Sequence, residues 1–509
     1  MNKRDWIVFA VLNKNGYKNH RQITKRTGYS LGLVNSSLKK LTDEGYIDKD
    51  FNITDRSRAY IESSKPRRAV ILAAGMGLRV VPINKTPKGL LTISGQPLIE
   101  RIIEQMQEVG IFEISIVVGY KMERFEYLRD KYGVEFVISK EFPYRDSLHS
   151  LFMASEKLDN CYVAPSNVWF SRNPFSRTEF FSWYAVSEYV DDDSYVRMNR
   201  NLELIRTRDE KGGNEMLGLC YLLKKDATVV RNQLKEFDKQ RKYNHESWEQ
   251  ALFEGNKMIP YARVMLGQSN YAIRTYEEYR DLDSESQHLD SKRIKLISEV
   301  FGVKKDEITD IFALFKGMTN RLMRFSINGK HYLFRVPGEG SNELTNRPQE
   351  VDVYKKLAGT GFTDIVIYMS AESGYKITEF WESARTCDIN NDEDVRACIA
   401  HLRKLHDMKL EVKHTFDLSE KLELYEKLRD GESSFSDYKE TREKITGLIS
   451  LLNALPKEKC LCHIDPVSDN FLFVDGNIHL IDWEYSGMSE RHIDLAMFCL
   501  YADYELKYV

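Results

Sequence analysis

The stretch Cys462-His463-Ile464-Asp465-Pro466-Val467-Ser468-Asp469-Asn470-Phe471-Leu472-Phe473-Val474-Asp475-Gly476-Asn477-Ile478-His479-Leu480-Ile481-Asp482 decides how the C-terminal part of this 509-residue chain folds. Asp475-Gly476 between two apolar runs is a strong two-residue hairpin signal. Asn470 lies five residues before Asp475 and Ile481 five after Gly476. The two therefore face each other across the ladder, which sets Asp482 beside Asn470 at about 5–6 Å between backbones. An amide and a carboxylate at neighbouring strand ends offer oxygen ligands to Mg²⁺. Asp465, in the loop ahead of the hairpin, is placed to take a proton from an attacking hydroxyl. His463 reads as a brace for that loop.

Working upstream, Lys316-Gly317-Met318-Thr319-Asn320 precedes a strand over 321–327, joined to a second over 332–336 by the turn pair Asn328-Gly329. Small loop residues before paired strands can fold over nucleotide phosphates. Arg335 falls on the second strand and Glu350 on the next helix, an arrangement that parallels the Lys–Glu pair of protein kinases. The whole pattern resembles the choline/ethanolamine kinase and aminoglycoside phosphotransferase superfamily. Ile481-Asp482-Trp483-Glu484-Tyr485, Ser486-Gly487-Met488 and Asp494-Leu495-Ala496 favour its choline kinases, and Leu402, Leu405 and His406 match the helix that precedes the core of the catalytic lobe. The resemblance implies Asp465 as base, Asn470 and Asp482 as Mg²⁺ ligands, and ATP steadied by Lys316, Gly317, Thr319, Asn320, Arg335 and Glu350. It further implies choline held by Trp483, Glu484 and Tyr485, since ring faces and a carboxylate suit a quaternary ammonium. Choline kinases run on past the Asp-Leu-Ala helix, whereas this sequence stops at Val509. A C-terminally shortened kinase with low choline affinity is expected.

A second signature opens at Ala69-Val70-Ile71-Leu72-Ala73-Ala74, an apolar run with no polar face, as in a strand buried on both sides. Gly75-Met76-Gly77-Leu78-Arg79 follows, then Pro87-Lys88-Gly89-Leu90-Leu91. Glycines after a buried strand let backbone N–H groups approach a phosphate, and Arg79 and Lys88 supply positive charge. This string resembles the nucleotidyltransferases that couple an NTP to a sugar phosphate or to phosphocholine. Phe125-Glu126-Tyr127-Leu128, Ser182-Trp183-Tyr184 and Glu215-Met216-Leu217-Gly218 look most like the CTP:phosphocholine cytidylyltransferases. The resemblance implies CTP bound at Leu72, Ala74, Gly75, Gly77, Arg79 and Lys88. It also implies a metal-binding Asp on the strand 162–169, where Asn167 stands instead. A second acidic position falls near 271–274, where Arg274 stands, and paired asparagines are replaced by Asp146-Ser147. An amide gives Mg²⁺ no charge and Arg274 repels it, so weak or absent cytidylyl transfer is expected. An arrangement using Asp146 or Asp159 is the alternative.

Residues 1–66 carry 13 Lys+Arg against 7 Asp+Glu, in a chain whose overall charge is −3. Trp6, Ile7, Phe9, Ala10, Val11 and Leu12 suit a buried helix. A second helix covers 19–26, and Ser30 caps a third that runs to Glu44. Residues 46–48 and 51–53 read as a short hairpin. This order resembles a winged helix-turn-helix domain. Ser30, Asn35, Ser36, Lys39 and Lys40 would face solvent, where they could meet DNA phosphates or bases. A docking domain that has lost DNA is the alternative.

Hydrophobic residues at 42% and charged residues at 30% exclude a disordered or collagen-like chain. No apolar run approaches the roughly 18–20 residues of a membrane span. Seven cysteines without a C-x-x-C pair point to free thiols in a reducing cytoplasm. Cys460 and Cys462 are expected on opposite faces of a strand. The expected architecture is a multidomain α/β chain. It comprises a winged helix (1–66), a doubly wound, Rossmann-like nucleotidyltransferase domain (67–286) and a protein-kinase-like α+β domain (287–509). The expected function is phosphocholine activation: ATP-dependent phosphorylation of choline, joined to a CTP:phosphocholine cytidylyltransferase-like domain. The alternatives are a DNA-binding regulator whose catalytic domains serve as nucleotide or choline sensors, and a kinase for another amino alcohol or an aminoglycoside.

Overall fold

The computed structural model describes residues 1–77, 86–192, 194–207, 212–254, 260–265, 270–289, 291–314, 320–338, 344–429, 431–454 and 458–502. These form two compact units, Met1–Arg293 and Ile294–Val509.

The first unit begins with four helices, α1 (Lys3–Asn15), α2 (His20–Thr27), α3 (Leu31–Asp43) and α4 (Asp55–Ser64). α1 opens on a reciprocal capping box, in which the Asn2 side chain accepts from Asp5 N–H and the Asp5 carboxylate accepts from Asn2 N–H. It buries Trp6, Val8, Phe9 and Leu12 against Ile23 of α2 and Val34, Leu38 and Leu41 of α3. Ser30 caps α3 as the sequence predicts. The expected hairpin is reduced to one bridge, Ile47 to Ile53. α4, with its polar sequence DRSRAYIESS, was not expected.

Next comes a seven-stranded sheet. Its strands are β1 (Arg68–Ala73), β2 (Glu113–Val118), β3 (Glu135–Ile138), β4 (Cys161–Pro165), β5 (Trp183–Asp191), β6 (Gly213–Leu222) and β7 (Tyr261–Met265), in spatial order β7-β5-β6-β4-β1-β2-β3. β1 lies at the centre of a parallel group with β2 and β4. Its apolar run is shared between two cores: Ala69, Ile71 and Ala73 join one, and Val70 and Ala74 the other. Helix α5 (Leu98–Glu108) buries Ile99, Ile102, Ile103 and Met106 in the first core. Helices α6 (Ser147–Met153) and α7 (Lys224–Phe237) contribute Leu148, Leu151, Ala227, Val230 and Leu234 to the second. Helices on both faces make this the doubly wound domain expected.

The second unit has a five-stranded antiparallel sheet of β8 (Thr309–Leu314), β9 (Asn320–Ile327), β10 (Lys330–Pro337), β11 (Val366–Met369) and β12 (Lys376–Glu379), in order β8-β9-β10-β12-β11. Asn328 and Gly329 take φ of 52° and 74°, the left-handed pair that a two-residue hairpin needs. Helix α8 (Arg347–Leu357) follows β10 in the chain. One core unites Val353 and Leu357 of α8, Cys398, Leu402 and Leu405 of helix α9 (Asp392–Asp407), and Leu461, Phe471, Leu480, Trp483 and Phe498. Helix α10 (Leu418–Leu428) precedes strand β13 (Lys459–Cys462), the hairpin β14 (Phe471–Val474) and β15 (Asn477–Leu480), strand β16 (Gly487–Glu490) and helix α11 (His492–Tyr501). β13 pairs antiparallel with β16. Among the described residues no helix is long and apolar enough to cross a membrane.

Candidate active sites

In the second unit the hairpin has the expected register. Phe471 faces Leu480, Val474 faces Asn477, and Ile481 N–H donates to Asn470 O at 3.0 Å. Asp482 follows directly, in the left-handed region at φ 68°. A non-glycine residue held there costs on the order of 1–3 kcal/mol and persists only where its surroundings fix it. Asn470 donates its amide to the Asp465 carbonyl at 2.9 Å and so ties the hairpin to the loop that carries Asp465. Ile464, before Asp465, is also left-handed, at φ 76°. That bend is held by the fully buried Asp494, which accepts from His463 N–H at 3.0 Å and Ile464 N–H at 2.7 Å. His463 Nε2 lies 2.9 Å from Ile481 O and its ring packs against Trp483, so it braces loop and hairpin together.

The expected ion pair is present. Arg335 is bidentate to Glu350 at 2.5 and 2.8 Å, and its Nη1 lies 3.5 Å from Asp482 Oδ1. Burial alone would lower the Arg335 pKa, but hydrogen bonding to Glu350 more than offsets this and raises it. Burial likewise works against the Glu350 carboxylate, and Arg335 brings its pKa below the ordinary range. Burial pushes the Asp465 carboxyl up, with His463 opposing the shift and Glu484 adding to it. Burial also raises Asp482, against the pull of Arg335. The Asp482 carboxylate and the Asn470 amide oxygen beside it are hard oxygen donors that fit Mg²⁺.

Two of the three expected choline contacts need correction. Trp483 is fully buried; its Nε1–H donates to Leu480 O at 2.7 Å and its ring belongs to the core, so it presents no face to a ligand. Glu484 is buried and accepts from Arg347 at 3.2 Å and from Asn320 at 3.2 Å, so it serves an internal network. Tyr485 is half-buried. Tyr425 on α10 is an exposed ring whose hydroxyl pKa is raised by burial and then by the charges of Glu484 and Asp465 nearby. No local pattern in the α10 sequence announces it. Lys316, Gly317 and Thr319 lie outside the described residues.

In the first unit Gly75 and Gly77 follow β1. Gly77 has φ of 62°, and a side chain there would strike the Lys88 stem at 2.9 Å. A side chain at Gly89 would likewise strike Ser166, at the end of β4. The loop over Lys88 is therefore pressed against the carboxyl ends of β1 and β4, where doubly wound sheets bind ligands. The Leu72 carbonyl accepts from Ser166 N–H and the Ala74 carbonyl from Tyr120 N–H, so both residues frame the loop. Arg79 lies outside the described residues. Asn167 donates to Ile273 O at 2.9 Å, and Ile273 N–H donates back to Asn167 O at 2.8 Å, which brings Arg274 beside Asn167. Lys88 Nζ donates to Arg274 O at 3.0 Å. The Arg274 guanidinium is clamped by Asp191 at 3.0 Å and Glu215 at 2.7 Å. Both carboxylates come from strands distant in sequence, Asp191 from β5 and Glu215 from β6, and stand where the sequence around Arg274 offered none. Asp159 pairs with Lys224 just before β4 begins, at the end of the sheet away from the loop, so it cannot serve a metal there.

Each of the three parts matches a protein family. Residues 69–168 match the MobA-like NTP transferase domain family, 311–508 the choline/ethanolamine kinase family and 1–48 a winged helix-turn-helix DNA-binding family. The choline-phosphate cytidylyltransferase of Streptococcus pneumoniae is 31% identical over 230 residues, covering 42% of this chain and 96% of that protein. The chain belongs to the choline-phosphate cytidylyltransferase family. This cytidylyltransferase-family chain is also 36% identical over 200 residues to the 2-aminoethylphosphonate cytidylyltransferase of Lancefieldella rimae, covering 37% of the chain and 80% of that protein. Protein LicA of Haemophilus influenzae is 26% identical over 190 residues, covering 36% of the chain and 56% of LicA. The chain thus joins a winged helix, a cytidylyltransferase domain and a choline-kinase-type domain, and it is a transferase.

Proposed function

We propose that the chain activates choline: residues 287–509 transfer the γ-phosphoryl group of ATP to an amino alcohol, choline first, and residues 67–286 hold CTP and a phosphorylated amine. The observation that carries this reading is the Asp465–Asn470–Asp482 constellation, backed by the buried Arg335–Glu350 pair. Asp465 takes the hydroxyl proton of the acceptor. Asn470 and Asp482 would hold Mg²⁺, which when bound offsets charge on the phosphates. Arg335, itself fixed by Glu350, keeps Asp482 in register. Tyr425 and Tyr485 offer ring faces to the acceptor's cationic head, taking the part the sequence assigned to Trp483. Release of ADP on addition of choline, lost in Asp465→Ala, is the expected result. Equal release from both proteins, or none from either, sinks the kinase reading.

The cytidylyltransferase half is read as weak. Arg274, held by Asp191 and Glu215, puts a fixed cation where the family resemblance places a metal-binding carboxylate. Strong pyrophosphate release from CTP with phosphocholine or 2-aminoethylphosphonate would overturn that. The winged helix, residues 1–66, leaves Asn35, Ser36 and Lys39 of α3 exposed. It is read as a DNA-contacting element, checked by a mobility shift on the adjoining promoter DNA.

A further inference from the structure

Two thiols and an imidazole lie buried behind the kinase loop and have no part in the chemistry above. β13 runs directly into His463-Ile464-Asp465. Cys460 and Cys462 project from the same face of that strand, with their Sγ atoms 3.7 Å apart. The expectation of opposite faces is corrected here, because residues two apart share a strand face. His406, at the end of α9, brings a ring nitrogen within 4.8 Å of both sulfurs, and all three residues are buried. His406 Nε2 lies 2.9 Å from Asp494 Oδ2, and Asp494 holds the amides of the catalytic loop.

A separation of 3.7 Å is far beyond a disulfide bond of about 2.05 Å. It matches the edge, about 3.8 Å, of a tetrahedron with metal–sulfur bonds of about 2.3 Å. A carboxylate on one nitrogen of a histidine whose other nitrogen ligates is the common outer support of a metal site.

We propose that Cys460, Cys462 and His406 form a site for Zn²⁺, distinct from the Mg²⁺ site of the reaction. Thiolate and imidazole donors select Zn²⁺ over Mg²⁺. Binding releases the two thiol protons to solvent, and a non-protein ligand completes the tetrahedron. The ion ties β13 to α9 and, through Asp494, to α11, and so stiffens the loop that presents Asp465.

The test uses the reduced, chelator-stripped full chain, with Co²⁺ as the probe. A thiolate-to-cobalt charge-transfer band saturating at one ion per chain, and bleached by Zn²⁺, is expected. Cys460→Ser with Cys462→Ser removes the band, and Cys499→Ser leaves it. Should the double variant not fold, alkylation of the wild-type chain decides. Zn²⁺ should slow modification of Cys460 and Cys462, as located by peptide mass. Absence of the band from the wild-type chain, its survival in the double variant, or Zn²⁺ protection confined to Cys387 and Cys398 overturns the proposal.

Discussion

Asp465 is held against its own charge, and this links activity to stability at a single residue. Burial raises its pKa in the folded chain above the unfolded value. The unfolded chain therefore releases this proton at lower pH, and ionised Asp465 lowers stability above the folded pKa. Asp465→Asn is expected to cut choline-dependent ADP release by about 10²–10⁴-fold and to raise the unfolding temperature at neutral pH. That gain should shrink as pH falls through the folded pKa, which thermal melts across a pH series would show. A variant that loses activity but gains no stability would refute the assignment. Arg274 calls for the opposite manipulation. Replacing it with Asp, together with Asn167→Asp, puts carboxylates beside Asp191 and Glu215 and removes the cation that repels Mg²⁺. Mg²⁺-dependent transfer from CTP is expected to rise by about tenfold or more, read as pyrophosphate release. Unchanged turnover would show that Arg274 does not occupy the metal position.

At the scale of elements, turns carry much of the precision. Gly374, in the turn before β12, has φ of 68°, and a side chain there would meet Pro337 at 2.6 Å and the Arg347 guanidinium at 3.1 Å. Its carbonyl also accepts from Arg335 at 3.5 Å. Gly374→Ala therefore presses directly on Arg347, one of the two arginines that grip Glu350, and strains the turn whose carbonyl meets the other. A loss of about 1–3 kcal/mol from the second unit and a raised KM for ATP are expected from denaturant melts and kinetics. The hairpins at Asn328-Gly329 and Asp475-Gly476 were legible because two adjacent left-handed residues have few sequence solutions. The Arg335–Glu350 pair was legible because strand and helix followed in order. Trp483 was misread because an indole beside a catalytic Asp has the same local signature whether it faces a ligand or a core. Asp191 and Glu215 were invisible because they reach Arg274 only through tertiary pairing: β5 with β6, and the Arg274 segment with residues 167–170. Helix α4 escaped because its apolar residues, Tyr60 and Ile61, are too few to show a period.

On the scale of the whole molecule, the winged helix is built into the first unit. Phe180, from the nucleotidyltransferase part, is buried in the winged-helix core, 6.0 Å from Trp6 and 5.2 Å from Phe9 between ring centroids. The Tyr60 hydroxyl donates to Phe180 O at 2.9 Å, and the Tyr221 hydroxyl donates to Ser64 O at 2.6 Å. Lys3 reaches the carbonyls of Leu202 and Ala262 at 3.4 and 3.3 Å. Phe180 thus completes the winged-helix core from the nucleotidyltransferase part, and the neighbouring Phe181 packs against the cores of both, so the two parts are packed as one. Truncating Phe180 to Ala leaves a cavity between them, at a cost of about 3–5 kcal/mol. The two compact units then give a direct control. In Phe180→Ala, the unfolding step of Met1–Arg293 should move to lower denaturant, the step of Ile294–Val509 should hold, and choline-dependent ADP release should be unchanged. A shift of both steps together would mean that the units unfold as one. No shift in either would mean that the winged helix does not depend on this anchor.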